Sequence, residues 1–522
     1  MNRFCLLLAL CALPGLGCPT EPVGDDDTPD PARLDFPEGF LWGTASASWQ
    51  AEGDFDPNPD DAFGVRSNWT VWTERGCVLD GQTNPEGSGF YTNYEQDFAL
   101  AASLGNTAYR LGIDWARIEP EDDVWNEAEI EHYVLVLQAA RAAGLSPMLT
   151  LHHWVVPTWI QNPSGDGDEI DLLVAEADEG MQSRFVEEFE EFVRKILPAV
   201  APYVDLYPIL NETFSVMLGG YFTGGCGGGA FPPGGLLDLN RARRAHINYL
   251  FAHAAACHAI RELDTSDADG DGQPALCGAA ASTNVIRPMD PGSELDVTAA
   301  AKLDWIYNHA THVALIDGNV DLDFDGEFTS PAAGNIPIDE GSYPELAGTI
   351  DWIGINYYGP ILVTGTGGGS LGGVPTIDVA DYDPSLPSSE LGFAIDPAGF
   401  GEVLDAFDRY DLPMYITENG IGDSQDDDRP RFLVEHLSEL ARALDRGVDV
   451  RGYYHWSLTD NFEWAHGFEQ RFGLYGVDFT DPALPRQGGR SVDAYRAIIR
   501  AGEVTDDIAA EYASAPYPSG GN

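Results

Sequence analysis

Glu212 and Glu418 stand in distant parts of the chain, yet each closes a short apolar run. The first run is Tyr203-Val-Asp-Leu-Tyr-Pro-Ile-Leu-Asn211-Glu212; the second is Pro413-Met-Tyr-Ile-Thr-Glu418-Asn-Gly420. Both read as buried strands ending in a carboxyl group, the second followed by a glycine turn. Two carboxyls brought together at strand ends can divide acid and base work, one keeping a proton while the other offers an electron pair. Set across a sugar–oxygen bond, such a pair can cleave it. Everything else in the chain bears on whether the two meet.

Strand-like and helix-like segments alternate from about residue 36 to residue 502, the pattern of an α/β fold with a parallel sheet. The strand candidates are Phe40–Ser46, Thr107–Trp115, Pro147–Trp154, Val204–Glu212, Ala275–Asn284, Trp352–Tyr358, Met414–Glu418 and Val450–Leu458. Amphipathic stretches such as Ala128–Ala143, Arg184–Leu197 and Arg241–Leu263 separate them. Eight such units predict a single (β/α)8 TIM barrel with long βα loops, over residues 35–505. Chemistry in that fold sits at strand C-terminal ends, and here those ends carry Gln50, Arg110, His153-Trp154, Asn211-Glu212, Asn284, Tyr358, Glu418 and Trp456.

The bulk numbers exclude several classes. Of 522 residues, 44% are hydrophobic and 12 are Trp, ample for a core and for ring faces that stack on sugars. The net charge is −58, from 85 acidic residues against 27 basic ones, of which only Lys195 and Lys302 are lysines. That surface repels nucleic acid and anionic headgroups. Residues 1–18 read as a leader: Arg3, the apolar run Phe4–Leu13, then Pro14-Gly15. Leu16-Gly17-Cys18 resembles a bacterial lipoprotein cleavage box, with Cys18 lipidated and residues 19–34 as an acidic, Pro-rich linker. Export with a lipid anchor at Cys18 as the sole membrane contact is expected, plain secretion being the alternative. Residues 506–522 read as a C-terminal tail, and nothing in the sequence sets an oligomeric state.

Four cysteines stay in the body of the chain: Cys77, Cys226, Cys257 and Cys277. In an exported protein they permit two disulfides in three pairings; Cys257–Cys277 with Cys77–Cys226 is preferred, and four buried thiols are the alternative. Two acidic loops, Asp267-Ala-Asp269-Gly-Asp271-Gly272 and Asp321-Leu-Asp323-Phe-Asp325-Gly326, open as an EF-hand loop does. Gly278 and Ala332 stand where its twelfth-position Glu belongs. Structural calcium and a solvated turn are both open at each loop.

At the strand ends the chain resembles glycoside hydrolase family 1, the β-glucosidase and β-galactosidase family. Phe40-Leu-Trp-Gly-Thr-Ala-Ser-Ala-Ser-Trp-Gln50-Ala-Glu-Gly53 is similar to its N-terminal signature, and Thr107-Ala-Tyr-Arg110-Leu-Gly-Ile-Asp-Trp-Ala-Arg-Ile-Glu-Pro120 to its second strand. Leu149-Thr-Leu-His-His153-Trp154, Ile416-Thr-Glu418-Asn-Gly420 and Trp456-Ser-Leu-Thr-Asp-Asn-Phe-Glu463-Trp464 with Arg471-Phe472-Gly473 match in order. The fourth strand departs: where the family reads Trp-x-Thr-x-Asn-Glu-Pro, this chain has Tyr207-Pro-Ile209-Leu-Asn211-Glu212-Thr213.

The resemblance implies a retaining mechanism, with carboxyls about 5–5.5 Å apart. Glu418 would attack the anomeric carbon and Glu212 would serve as acid, then base. Arg110 would stabilise Glu418 as an anion, Tyr358 would donate to it, and Asn211 would bond the sugar 2-hydroxyl. Gln50, His153 and Glu463 resemble the set that reads the glycone hydroxyls, with Trp456 as platform and Trp154, Trp464 and Phe472 around it. Large Trp464 and a following loop without lysine imply an unphosphorylated sugar. No catalytic cofactor is implied. A weak sugar-binding protein or a transglycosylase on the same barrel are the alternatives.

Overall fold

The computed structural model describes residues 34–517 except 59–63, 168, 177–182, 331–337, 372–373 and 381–384, and only the backbone of 366–371 and 374–380. The expected leader, Cys18 and the linker up to residue 33 lie outside the described residues.

Eight parallel strands close into a barrel in chain order. They are β1 Leu41–Ala45, β2 Ala108–Gly112, β3 Ser146–Thr150, β4 Leu206–Asn211, β5 Leu276–Pro288, β6 Trp352–Leu371, β7 Met414–Asn419 and β8 Val450–Trp456. β8 pairs with β1 and β5 with β6, so no edge is left among them. This is the (β/α)8 barrel expected from the alternation. Helices alternate with most of the strands and form the outer layer. Arg184–Val200, for example, buries Phe185, Phe189, Phe192, Val193 and Ile196, a spacing that turns one stripe inward, and the Ser183 hydroxyl accepts from the Val186 amide at its start.

The barrel interior is filled by large rings seated on missing side chains. A Cβ placed on Gly278 of β5 would lie 2.1 Å from the Trp352 indole, and one on Gly43 of β1 would lie 2.4 Å from the Tyr454 ring. Trp352, Tyr415 and Tyr454 pack there with Ala45, Ala108, Met148 and Leu206. This plug closes the lower barrel and leaves the C-terminal ends of the strands open above it.

β5 and β6 run past their predicted ends at Asn284 and Tyr358. Gly359 and Pro360 read as a stop, but a register shift between Tyr357 and Pro360 absorbs them and pairing resumes at Pro360 with Val285. The strand Val374–Ala380 then pairs antiparallel with β6. Both preferred disulfides form, Cys77–Cys226 and Cys257–Cys277. The first ties the loop after helix Asn68–Glu74 to the glycine-rich loop over the barrel mouth; the second ties helix Leu239–Leu263 to β5. Within the expected C-terminal tail, Asp506–Tyr512 is a helix capped by Thr505, and Tyr517 donates to Glu435.

Candidate active site

Arg110 ends the inward face of β2 with 1% of its surface exposed. Its Nη1 donates to Glu418 Oε1 at 2.6 Å and to the Thr417 carbonyl at 3.0 Å. Its Nη2 donates to Asn211 Oδ1 at 2.6 Å, and its Nε to Thr150 at 3.1 Å. Four strands, β2, β3, β4 and β7, are thus joined by one guanidinium. Tyr358 donates to the other oxygen of Glu418 at 2.7 Å. Burial and the nearby Glu418, Glu212 and Glu463 push the Tyr358 hydroxyl pKa well up, so it stays a donor.

Glu212 receives different partners. Asn356 Nδ2 donates to its Oε1 at 2.7 Å and the Ser215 hydroxyl to its Oε2 at 2.8 Å. Burial, then the charge of Glu418, raises its pKa to about 7; the two neutral donors and Arg110 restrain the rise. Glu212 sits at φ 47, the left-handed region, between β4 and helix Thr213–Tyr221. That conformation costs a non-glycine residue about 1–2 kcal/mol. Its amide donates to the Ala280 carbonyl at 2.7 Å, so the turn is anchored to β5 while the side chain points over the barrel. Trp154 and Trp464 also hold positive φ, 70 and 45. Three side chains of the mouth are therefore aimed by strained backbone, a pattern that collects at functional sites.

Asn211 fixes a tautomer. Its Oδ1 accepts from Arg110 and from Asn356, so its Nδ2 is the group facing His153 Nε2 at 3.0 Å and must donate. The imidazole Nε2 then accepts and Nδ1 carries the hydrogen. Burial, helped by Arg110 and His152, pushes the His153 pKa well below its usual value and keeps the ring neutral. Nδ1 is buried without a protein partner, as is Gln50 Oε1. Gln50 Nε2 donates to Asn461, to the Phe462 carbonyl and, at 3.3 Å, to Glu463. Glu463 is pushed up to about 8 by burial and by Glu418 and Glu212, against donors from Gln50 and Trp456. The Glu463 carboxyl and the His153 ring give a polyhydroxylated ring polar partners at one wall, with the Gln50 amide behind them.

These groups share one cavity of about 800 Å³. His153, Trp154, Asn211, Glu212, Tyr358, Glu418, Trp456, Glu463, Trp464 and Phe472 line it, while Arg110 and Gln50 stand behind that lining and orient Glu418 and Glu463. Trp464 lies against Trp154 at 4.5 Å between ring centres and against Trp69 at 4.7 Å, and His153 stacks beside Trp456 at 5.9 Å. Of the altered residues, Tyr207 and Ile209 face the other way, whereas Thr213 opens the helix that follows Glu212. Tyr207 donates to Asp264 at 2.9 Å, and Tyr207 and Ile209 are packed in the outer helical layer.

Sequence reasoning missed Asn356 and Ser215. Alternation places Asn356 on the face of β6 that Tyr358 occupies, a signal that was there to use. Ser215 lies one helical turn after Glu212, where its hydroxyl reads first as a helix-start residue. At the acidic loops, carboxylate oxygens of Asp321, Asp323 and Asp325 lie within 4.8 Å of one another, whereas Asp267 and Asp269 gather with Asp205 and Asp271 is not of that group.

A buried pair of carboxyls at the mouth of a (β/α)8 barrel, one against arginine and one against neutral donors, defines a class: enzymes that cleave glycosidic bonds. The pattern of glycosyl hydrolase family 1 matches residues 32–504, and the chain belongs to that family. It is 32% identical to a β-galactosidase of Pyrococcus woesei over 91% of this chain and 99% of that one. Among solved structures, a family 1 β-glucosidase from Thermotoga maritima superposes with a TM-score of 0.75 at 27% identity, covering 91% of this chain and 100% of the other. A mutant rice β-glucosidase in a covalent complex with glucose also matches, with a TM-score of 0.75 at 26% identity over 89% and 98% of the two chains.

Because Glu212 is held near 7, the basic limb of kcat/KM is expected near that pH. Ser215→Ala removes a donor that favours the ionised form, so the limb should move up by roughly half to one pH unit, the size of one neutral hydrogen bond. A pH–rate profile checks this; a limb that stays or falls contradicts the role of Ser215.

Proposed function

We infer that the protein is a retaining β-glycosidase acting on unphosphorylated β-glucosides or closely related β-linked sugars. One observation carries the reading: Glu212 and Glu418 share one cavity but not one environment, an arginine against the second and only an amide and a hydroxyl against the first. Glu418 attacks the anomeric carbon while Glu212 passes its proton to the departing oxygen, and the C–O bond breaks. Water then enters, Glu212 takes its proton, and the glycosyl ester on Glu418 is cleaved with overall retention. Glu463 on the glycone wall is itself held near 8 and is mostly neutral at pH 7, so exclusion of a 6-phosphate rests on the bulk of Trp464 and on a lining without lysine. The relatives' names support β-glucose and β-galactose as glycones.

The protein lacking residues 1–32 is expected to hydrolyse nitrophenyl β-glycosides. Glu418→Ala should abolish turnover, and Glu212→Ala should lower it by about 10²–10⁴-fold, with azide restoring release as a β-glycosyl azide. Binding of glucose or cellobiose without turnover would instead mark a sugar-binding protein.

Two finer points belong to the same proposal. The leader motif supports lipidation at Cys18 and export; Cys18→Ser should then move the full-length protein from the membrane fraction to the soluble one, and a soluble wild type contradicts the anchor. The carboxylates of Asp321, Asp323 and Asp325 support a structural calcium there, and those of Asp267 and Asp269 with Asp205, rather than Asp271, a second. Calcium should raise Tm in wild type and not after Asp323→Asn with Asp269→Asn; equal response to EDTA in both proteins contradicts it.

A further inference from the structure

The match to the family pattern ends at residue 504, and the chain beyond it turns back onto the barrel. Helix Asp506–Tyr512 packs on helices Arg429–Asp445 and Arg490–Ala501, and Arg490 donates to the Glu511 carbonyl at 3.1 Å. Five residues further on, Tyr517 is held by three different contacts. The Arg431 guanidinium lies over its ring at 4.4 Å and donates to the nearby Ala515 carbonyl at 2.8 Å. The Tyr517 hydroxyl donates to Glu435 Oε2 at 2.8 Å, while Arg431 holds Glu435 Oε1 at 2.7 Å. The ring also packs against the buried cluster of Ile395, Ile421 and Phe432.

Both isoleucines of that cluster lead to the nucleophile by short paths. Ile421 stands three residues after Glu418. Ile395 closes loop 387–395, in which its amide donates to the Pro387 carbonyl and the Ser389 amide to the Phe393 carbonyl. Glu390 ties this loop to the one after β7, accepting from the amide and the hydroxyl of Ser424 at 3.0 and 2.7 Å. The Ala394 carbonyl sits against Gly359, where a Cβ would lie 2.5 Å from it. Gly359 follows Tyr358, the residue that donates to Glu418. Tyr358, Ile395, Ile421 and Phe432 line one narrow void of about 10 Å³, barely the room of a single water. Little slack therefore separates the ring of Tyr358 from the residues that Tyr517 covers.

We propose that Tyr517 is a positioning residue for attack by Glu418: the C-terminal tail braces loop 387–395 and Ile421, and through them keeps the Tyr358 hydroxyl on the nucleophile. The proposal rests on the glycosidase reading above and deepens it with a residue outside the family pattern. Barrel strands are fixed by their neighbours, but a connecting loop holds its place only through what packs on it. Without the Tyr517 ring, Ile395 and Ile421 lose apolar cover and the loop behind Gly359 loses its outer support. Small displacements far from the reacting atoms are enough to slow a step that depends on alignment.

The test is a double-mutant cycle on kcat/KM for nitrophenyl β-glucoside, using the full-length protein below the Tm of each variant. Tyr517→Ala should lower the value about three- to tenfold beside a native Tyr358, and less than about twofold in Tyr358→Phe, where no hydroxyl remains to be aimed. Trapping of Glu418 by a 2-deoxy-2-fluoroglucosyl donor, which reads ester formation alone, should slow by the same factors. Tyr517→Phe keeps the ring under Arg431 and should retain most of the activity of its parent in either background. Should Tyr517→Ala fail to fold, Tyr517→Leu carries the same cycle. Unchanged activity on loss of the ring, or an equal loss in both backgrounds, overturns the inference and leaves the glycosidase reading intact. A wild type that cleaves no glycoside overturns both.

Discussion

A guanidinium with 1% of its surface exposed must have its charge and donors met inside the protein, and Arg110 meets them with Glu418, Asn211, Thr150 and the Thr417 carbonyl. Those partners come from β3, β4 and β7, so their strands can take only the register that brings them to one point. Removing either member of a buried ion pair typically costs about 3–5 kcal/mol, because the other charge is stranded. The site is therefore also a structural knot. Asn211 carries the order outward, since its single oxygen is shared by Arg110 and Asn356 and its amide then sets the His153 tautomer.

The same arrangement separates the roles of two chemically identical side chains. Glu418 lies against the cation, whereas Glu212 receives an amide and a hydroxyl, which are weaker partners for a charge. Burial does the rest, and the negative neighbour adds to it. The barrel below supports this division through its plug of Trp352, Tyr415 and Tyr454, which leaves the strand ends as the open end of the interior. The changes on β4 fit the same logic. Tyr207 and Ile209 sit on the outer face, where a ring or a branched chain need only fill space between strand and helix, so they can differ from the family without touching Glu212.

Much of this was legible in the sequence because strand ends concentrate it. Arg110, His153, Glu212, Tyr358 and Glu418 each stand in a short apolar run whose type and end are set by local pattern, and the (β/α)8 closure follows from eight such runs in order. Strand extents were less legible. β5 and β6 continue to Pro288 and Leu371, since bulges let Gly359 and Pro360 pass within a paired strand, and that depends on the partner rather than on the residues themselves. Ser215 was hidden because a hydroxyl in a first helical turn has an adequate local explanation, and its aim at Glu212 comes only from the left-handed turn that precedes it. The protonation of Glu463 was hidden for a comparable reason: burial, and then Glu418 and Glu212, which are remote in sequence, raise it to about 8.

The central claim is that Glu212 keeps its proton because it is buried beside the negative charge of Glu418. Infrared difference titration of the Glu212 carboxyl, assigned by Glu212→Gln and repeated in Glu418→Gln, tests it directly. The account predicts a midpoint near 7 in wild type that falls when the neighbouring charge is removed, with burial alone holding it above the ordinary value of 4.5. A midpoint that starts in the ordinary carboxylate range, or does not move in Glu418→Gln, would contradict it.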